Sequence, residues 1–446
     1  KWNFMEESRV MNFEVLKKNH LKRNIIIGVV AVAIISACVL TFTRAKYRTT
    51  QSIQIAKGTI NYSFADLNIM AMYQENDLGE YENINIMPNK GYIINESESY
   101  CTVNGNKDEN AKLYTNENGE HVMVNLQEGS KCYLYFDEIE SIANIVLTDK
   151  DIQTRSNFNS TVSEETTNRI YQTSDGDGTT YYFAGNPTDN WVQFAGYYWR
   201  IIRINGDGTL RMIYAGTDPN VTTGTGTKIS LDGNTTSYAF NTNRGRSEYV
   251  GLKYTQGQQY GTATNSNILD TLNTWYNNNL VSYESYIDQN AGFCGDRNIA
   301  NGYIWSSQPS SLIYYVGHER LAGTRTPNLE CNRDDLFTVM GANKGNASLT
   351  NPIGLITADE VSYAGGLWST GNNGYYLYTG QAYWTMSPSY FDGSDAGVLA
   401  VNTNGDLHHK DTNVIIGVRP VINLASNISF NGTGTSTDPY KIVGLS

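Results

Sequence analysis

The sequence predicts a β-rich α+β fold that follows a single transmembrane helix, and three observations carry this prediction. Tyr and Gly are abundant, at 32 and 41 of 446 residues, while only 17% of the residues are charged. This composition favours strands and turns over long charged helices. A long uncharged apolar stretch lies near the start of the chain, and short apolar runs separated by Asn-Gly turns fill the rest.

The apolar stretch is Ile25–Thr43, which contains no charged residue. At about 1.5 Å per residue such a helix is roughly 28 Å long, which matches one hydrocarbon core. Four basic side chains lie between Lys17 and Arg23, and basic residues favour the cytoplasmic side. We therefore expect residues 1–24 in the cytoplasm, the membrane as a partner through residues 25–43, and the large C-terminal region outside the cell.

Two other interpretations of this segment keep the same orientation. A cleavable signal peptide would need a small-residue cleavage site, and none is clear after Thr43. A lipoprotein would end its apolar run before a modified cysteine, and Ile35-Ser36-Ala37-Cys38 fits loosely. The apolar run continues after Cys38, however, so the transmembrane helix is the preferred interpretation.

Four cysteines follow the apolar segment, namely Cys101, Cys132, Cys294 and Cys331. Disulfides form in oxidising compartments, which fits an extracellular region. Four cysteines allow three pairings, and the sequence does not choose among them. We expect pairing within each domain, Cys101 with Cys132 and Cys294 with Cys331. Buried free thiols are the alternative.

The net charge excludes one class of partner. The formal charge is -12, with a small basic excess before residue 44. A nucleic-acid partner needs a basic surface, so we expect none. No phosphate-binding GxxxxGK[ST] motif and no strand-linked glycine-rich loop occurs, so we expect no nucleotide and no other cofactor.

Two regions follow the membrane segment. Residues 44–138 are predicted to form a small β domain, with strands at His121–Val124 and Cys132–Phe136 and a turn at Asn104-Gly105. Residues 139–170 are rich in Ser, Thr, Asn and acidic residues, so they are predicted to form a linker that begins with a short helix near residues 139–147.

Residues 171–446 are predicted to form one larger domain. Tyr197–Ile204 is an aromatic and β-branched strand, and Asn205–Gly208 is a turn that leads to a return strand at Thr209–Tyr214. Apolar residues at helical spacing predict a helix over Asn265–Leu280. Near the start of this domain, Asp175–Gly178 resembles the beginning of a calcium loop but lacks the later acidic ligand, so a turn is predicted there.

A second helix and a final strand complete this domain. Thr357 and Glu360 form a capping box, in which each side chain satisfies a backbone N–H of the helix start. Gly365-Gly366 is predicted to end that helix. Gly417–Leu424 is predicted to be a strand, and Pro420, which has no N–H, places it at an edge or a bulge.

Residues 165–445 resemble a group of membrane-anchored surface proteins of low-GC Gram-positive gut bacteria, a group without an assigned activity. The matching segments are Tyr182–Pro187, Phe194–Ile201, Phe293–Arg297, Gly354–Glu360, Tyr383–Pro388, Gly417–Pro420 and Gly432–Tyr440. The resemblance implies a cell-surface location.

A more distant resemblance is to the C-type-lectin-like fold, including the formylglycine-generating enzyme branch. It rests on Trp384 and Ser387 followed by Gly417 and Arg419, and it implies two helices, antiparallel hairpins, and first and last strands that lie side by side. The oxidases of that branch bind copper through late cysteines, and this chain has none after Cys331. The acidic triplets of calcium-dependent lectins are also missing, so neither chemistry is implied.

Two constellations are weak candidates for chemistry. Cys294, Cys331 and His318 lack a third orienting group, so a disulfide is the preferred interpretation. His408 and His409 are adjacent on a predicted strand and should point to opposite faces, as expected for a solvated hairpin rather than a metal site. We therefore predict no catalytic residue and no metal.

The remaining candidate is an aromatic surface for ligand binding. Tyr383, Trp384, Tyr390, Phe391 and Asp392 lie in loop-like sequence among Ser and Gly, and rigid aromatics of this kind serve binding loops well. Core packing is an equal alternative for Trp384, while residues 390–392 are expected to be exposed. We therefore expect a non-catalytic surface module that binds an extracellular glycan, protein or cell-wall ligand. The alternatives are an enzyme of the formylglycine-generating branch, a cell-wall amidase, and a structural envelope protein.

Overall fold

The computed structural model describes residues 68–76, 78–88, 92–115, 121–138, 141–339, 345–443 and 445. These residues form many strands and few helices, which confirms a β-rich α+β fold. None of the helices in these ranges has the length and apolar character needed to cross a membrane. The predicted transmembrane helix at residues 25–43 and Cys38 lie outside the described residues.

The first sheet is built from residues 68–138. Its strands are β1 (Asn68–Glu75), β2 (Tyr81–Ile84), β3 (Tyr92–Ile94), β4 (Tyr100–Val103), β5 (Asn106–Lys107) and β8 (Lys131–Glu138), and β6 (Lys112–Thr115) and β7 (His121–Val124) form a separate hairpin. Strand β8 is central, because it pairs with β1 in parallel and with β3 and β4 in antiparallel orientation.

The side chains of β8 alternate between two faces. Cys132, Leu134 and Phe136 are fully buried and form the core of this domain, while Tyr133 and Tyr135 are only half-buried on the other face. Strand pleating sends successive side chains to opposite faces, which produces this alternation. Cys132 is bonded to Cys101 on the neighbouring strand β4, as the sequence predicts.

The second sheet has nine strands in residues 151–442. They are β9 (Asp151–Thr154), β10 (Arg169–Asp175), β11 (Gly178–Tyr182), β12 (Trp191–Phe194), β13 (Tyr197–Ile204), β14 (Leu210–Gly216), β25 (Val421–Leu424), β26 (Phe430–Asn431) and β27 (Tyr440–Ile442). The predicted hairpin is confirmed, since β13 and β14 pair through a turn closed by the Asn205 N–H bond to the Thr209 carbonyl. The turn at Asp175–Gly178 is confirmed as well, between β10 and β11.

Residues 141–170, which lie within the linker predicted over 139–170, pack into the main core and the second sheet. The predicted short helix is present as α1 (Ile142–Leu147), and Ser141 caps its start. Ile142 and Val146 are fully buried in the main core, and β9 pairs with β10. The polar composition of this segment predicts a linker. However, two buried residues on one face of a helix are sufficient to attach the segment to the core.

The third sheet contains the C-terminal hairpins. Its strands are β15 (Ser237–Ala239), β19 (Ile313–Tyr314), β21 (Tyr383–Phe391), β22 (Ala396–Val401), β23 (Leu407–Asp411) and β24 (Ile415–Gly417). Two small ladders pair β16 (Lys253–Tyr254) with β17 (Thr264–Asn265) and β18 (Phe293–Cys294) with β20 (Leu336–Phe337). The strand predicted over Gly417–Leu424 is divided between β24 and β25, because Val418–Pro420 leaves the ladder.

Two of the three further helices in the described ranges begin and end close to the predicted residues, and the helix at Val316–His318 is not predicted from the sequence. They are α2 (Asn267–Asn279), α3 (Val316–His318), which continues as a π-helical segment at Glu319–Thr324, and α4 (Ala358–Ala364). Short 3₁₀ turns lie at Thr225–Thr227, Ser247–Val250, Val281–Tyr286 and Arg333–Asp335. The Thr357–Glu360 capping box is present, and Gly365 ends α4 with φ of 114°.

Candidate ligand-binding site

The structure places four of the five predicted binding residues in the interior. Strand β21 is buried at all nine positions, so Tyr383, Trp384 and Phe391 are fully buried and Tyr390 is only 8% exposed. Their polar atoms have partners inside the protein: the Trp384 indole N–H donates to the Tyr238 carbonyl at 2.8 Å. The predicted exposure of Tyr390 and Phe391 is therefore wrong.

The cause of this error lies in the sheet. Strand β21 pairs with β22, β19 and β24, so it lies inside the third sheet and both of its faces are covered. A strand that is buried on both faces shows no polar alternation, and its Ser and Thr residues resemble a loop in sequence. Asp392 is exposed, but its carboxylate accepts the N–H groups of Ser394 and Asp395 and so closes the β21–β22 turn.

A different group of side chains forms a half-exposed surface. We call it the imidazole cluster, and it consists of Tyr314, His318, Trp368, Tyr390, His408 and His409. The His318 ring stacks on Tyr314 with centroids 4.2 Å apart and meets the edge of Trp368 at 4.8 Å. Trp368 in turn stacks on His408 at 4.9 Å. All members except Tyr390 are half-buried residues.

Strand pairing and one loop bring these distant residues together. Tyr314 on β19 lies opposite Tyr390 on β21, and His318 follows on α3, where its Nδ1 lies 3.2 Å from the Ser389 hydroxyl. Trp368 follows the glycines that end α4, and it forms a β-bridge with Leu407 at the start of β23. The cluster therefore extends across the third sheet, from β19 over β21 and β22 to β23.

The two adjacent histidines do not point apart as the sequence predicts. The rings of His408 and His409 have centroids 4.4 Å apart, and both rings are half-buried. Strand β23 is the edge strand of its sheet, so its side chains are not confined between two neighbours. Nevertheless, no group of three or more His, Cys, Asp or Glu side chains in the described ranges is arranged to hold a metal ion.

Two histidine rings of the cluster, His318 and His409, are neutral at pH 7. Burial and the two neighbouring imidazoles lower the pKa of His318 to about 4. Burial and His408 also lower the pKa of His409. The His409 Nδ1 atom is buried and has no hydrogen-bond partner. A polar atom in this state is expected to bond to water or to a ligand.

A small charged cleft is lined by residues that do not belong to the imidazole cluster. Its wall contains Arg320, which bonds to Asp296 at 2.6 Å and to Asp359 at 2.7 Å. Two more arginines, Arg203 and Arg211, bond to the buried carboxylate of Glu360. Every arginine in the cleft wall thus has a carboxylate partner within the protein. These ion pairs contribute to the fold and leave no arginine of the wall unpaired for a ligand.

Asp296 is the unusual residue of this cleft. Its backbone lies in the left-handed region, with φ of 49°, and burial together with Asp359 raises its pKa to about 7 against the opposing effect of Arg320. The Cys294–Cys331 disulfide, predicted from the sequence, also lines the cleft. A carboxyl group that titrates near neutrality can exchange protons with a bound molecule.

Two of the six members of the imidazole cluster, Tyr314 and Trp368, are not predicted from the sequence. The sequence indicates His318 only as a neighbour of the cysteines. One signal was present: Trp368 stands alone in a run of Gly, Ser, Thr and Asn directly after a helix-ending Gly-Gly. A large aromatic residue in such a loop is typical of a binding surface.

Searches of protein-family models, of curated proteins and of solved structures found no match to this chain.

Proposed function

We propose that this protein is a non-catalytic cell-surface receptor whose imidazole cluster binds an uncharged, hydroxyl-rich ligand such as a glycan. The single observation that carries the proposal is a half-exposed surface of stacked aromatic and imidazole rings, centred on Trp368. Trp368 supplies a rigid apolar ring, and the imidazoles supply donors and acceptors. This combination recognises molecules that have both apolar and hydroxyl faces.

The charge of the surface supports an uncharged ligand. The lowered pKa values keep His318 and His409 neutral at pH 7, so an anion gains no strong ionic partner from them. The Nδ1 atom of His409 is buried without a partner, so a ligand hydroxyl reaches it only when the ring turns. A ligand that left this atom unbonded would bind less tightly, because buried polar atoms need partners.

The cell-surface location rests on two features. Two disulfides stabilise the described region, and structural disulfides persist in oxidising compartments. The uncharged run at residues 25–43 is the proposed membrane anchor. A C-type-lectin-like fold implies first and last strands side by side, but in the second sheet β27 pairs with β12 and β9 lies at the opposite edge.

The proposal is tested by screening the full chain, in detergent, against a glycan array and then measuring the affinity of the best ligand. Trp368→Ala is expected to raise the Kd by about thirtyfold, since a central aromatic contact contributes about 2 kcal/mol. His409→Ala should also weaken binding. Tyr181→Ala is the control, because this half-buried tyrosine lies on the second sheet. If all three variants bind like the wild type, the imidazole cluster is not the binding site.

The charged cleft favours a second candidate, a hydrolase that acts on cell-wall amides. The observation behind it is the raised pKa of Asp296, which suits a general acid or base. Asp296→Asn keeps the shape of the side chain and tolerates the left-handed backbone. Under this alternative the wild type would release fragments from purified cell walls and the variant would not. Absence of release by both proteins would eliminate it.

A further inference from the structure

We propose that the first sheet carries a second interaction surface, which binds a cationic polypeptide segment rich in Lys or Arg. The surface is the tyrosine face, which we define as Tyr73, Tyr81, Tyr100, Tyr133 and Tyr135. This proposal does not depend on the imidazole cluster, because it rests on other residues in another sheet.

The tyrosine face is a consequence of strand register. Tyr73 on β1 lies opposite Tyr135 on β8, and Tyr100 on β4 lies opposite Tyr133. Directly opposed residues project to the same face of a sheet. The rings therefore stack in pairs, with centroids 4.7 Å apart for Tyr73 and Tyr135 and 4.9 Å apart for Tyr100 and Tyr133. Tyr81 adds an edge contact to Tyr135 at 5.1 Å.

These tyrosines are not part of a hydrophobic core. The core of this domain is on the opposite face, around Cys132, Leu134 and Phe136. Each of the five tyrosines remains partly exposed. Ile93, whose register partner is Asp137 on β8, is 39% exposed on the same face. A contiguous face of aromatic and apolar side chains that stays open to solvent is characteristic of an interaction surface.

The charge around the tyrosine face determines its partner. Residues 68–138 contain thirteen acidic and four basic side chains, a net charge of -9. Glu98 is exposed close to Tyr135, and Asp137 accepts the hydroxyl proton of Tyr81. Burial, Asp137 and Glu75 raise the pKa of Tyr81 to about 12. The tyrosines are therefore neutral phenols within a negative field, and such a field attracts cations.

Lys and Arg side chains match both properties of this surface. Their charges pair with the carboxylates, and a guanidinium or ammonium group is attracted to the face of a tyrosine ring. A polyanion such as a nucleic acid or an acidic peptide would be repelled by the same carboxylates. A neutral glycan would gain nothing from the charge, so we regard it as the competing outcome.

The test measures fluorescence anisotropy of labelled oligolysine and oligoarginine with the full chain, and oligoglutamate and a neutral cello-oligosaccharide serve as comparison probes. Tyr100→Thr removes one ring of a stacked pair, and it is expected to raise the Kd of the cationic peptides by about tenfold. Glu98→Gln is expected to raise it by about threefold, as befits one exposed charge. Rising salt should weaken binding in every case.

Glu109→Gln is the matched control, because Glu109 is an equally exposed acidic residue in the turn after β5. It makes the same change in net charge outside the tyrosine face. The proposal is overturned if Glu98→Gln and Glu109→Gln weaken binding equally and Tyr100→Thr has no effect, since the attraction is then unspecific. It is also overturned if only the neutral oligosaccharide binds. Thermal melting of each variant shows whether the fold is retained.

Discussion

At the scale of single residues, Glu360 carries two structural roles. Its carboxylate accepts the backbone N–H of Thr357 at 3.0 Å and so completes the cap of α4. The same carboxylate bonds to Arg203 and Arg211. Burial alone would raise its pKa, but the two arginines dominate and lower it. Glu360 is therefore ionised in the interior, with its charge fully compensated.

We predict that Glu360→Ala lowers the free energy of unfolding by about 3–5 kcal/mol, because it leaves the buried charge of Arg211 without a carboxylate to balance it. Thr357→Ala removes only a cap and should cost about 1 kcal/mol. Urea unfolding of the two variants measures both values. Equal losses would mean that the ion pairs add nothing beyond the helix cap.

His318 makes stability depend on pH. Its pKa falls from 6.5 to about 4 on folding, so the unfolded chain binds more protons between these values. The contribution of this group is therefore complete above pH 6.5 and is lost as the pH falls toward 4. We expect urea midpoints of the wild type to decrease over this range more steeply than those of His318→Asn. Parallel pH profiles would contradict the lowered pKa.

At the scale of elements, two Asn-Gly turns allow a matched comparison. Gly105 and Gly405 have almost the same backbone, with φ of 84° and 81°. A Cβ at Gly105 would have no neighbour within 4 Å, whereas one at Gly405 would lie 1.9 Å from the Asn372 carbonyl oxygen. The β22–β23 turn is thus packed against the Asn372 loop, and the β4–β5 turn is open.

We predict that Gly105→Ala costs about 1 kcal/mol, which is the conformational price of a left-handed alanine. Gly405→Ala should cost clearly more, because backbone atoms must also move. Thermal denaturation of both variants distinguishes the two contributions. If the two variants have the same melting temperature, the β22–β23 turn is not packed against the Asn372 loop.

Local sequence signals predicted the elements better than the site. The β13–β14 hairpin and the Thr357 capping box are defined by neighbouring residues, so their signals are complete in sequence. Strand β21 is buried on both faces, and its lack of alternation made it look like a loop. The imidazole cluster brings together six residues that are scattered between positions 314 and 409. Sequence spacing contains no information on contacts between such distant residues. Helix α1 was missed as a core element because only two of its residues are fully buried there.

At the scale of the whole molecule, the last strands complete the second sheet. Strand β27 pairs with β12 in parallel and with β26 in antiparallel orientation. Phe430, Tyr440 and Ile442 are buried in the main core. The end of the chain thus covers strands that lie far earlier in the sequence.

We predict that removal of residues 427–446 lowers the free energy of unfolding by about 5–8 kcal/mol, at about 1.5–3 kcal/mol for each of the three buried side chains. Lys441→Ala, at an exposed position of β27, should change it by less than about 0.5 kcal/mol. Guanidinium unfolding measures both effects. A truncated chain as stable as the wild type would show that β27 is dispensable.

The Cys294–Cys331 disulfide closes a loop that includes Tyr314, His318 and the π-helical segment with Arg320. Two of the rings around Trp368 are therefore supplied by a segment whose two ends are joined covalently. A dithiol that cut this bond would increase the freedom of that segment, and the rings would spend less time in register with Trp368. Recognition by this surface would thus be confined to surroundings that are poor in reducing thiols.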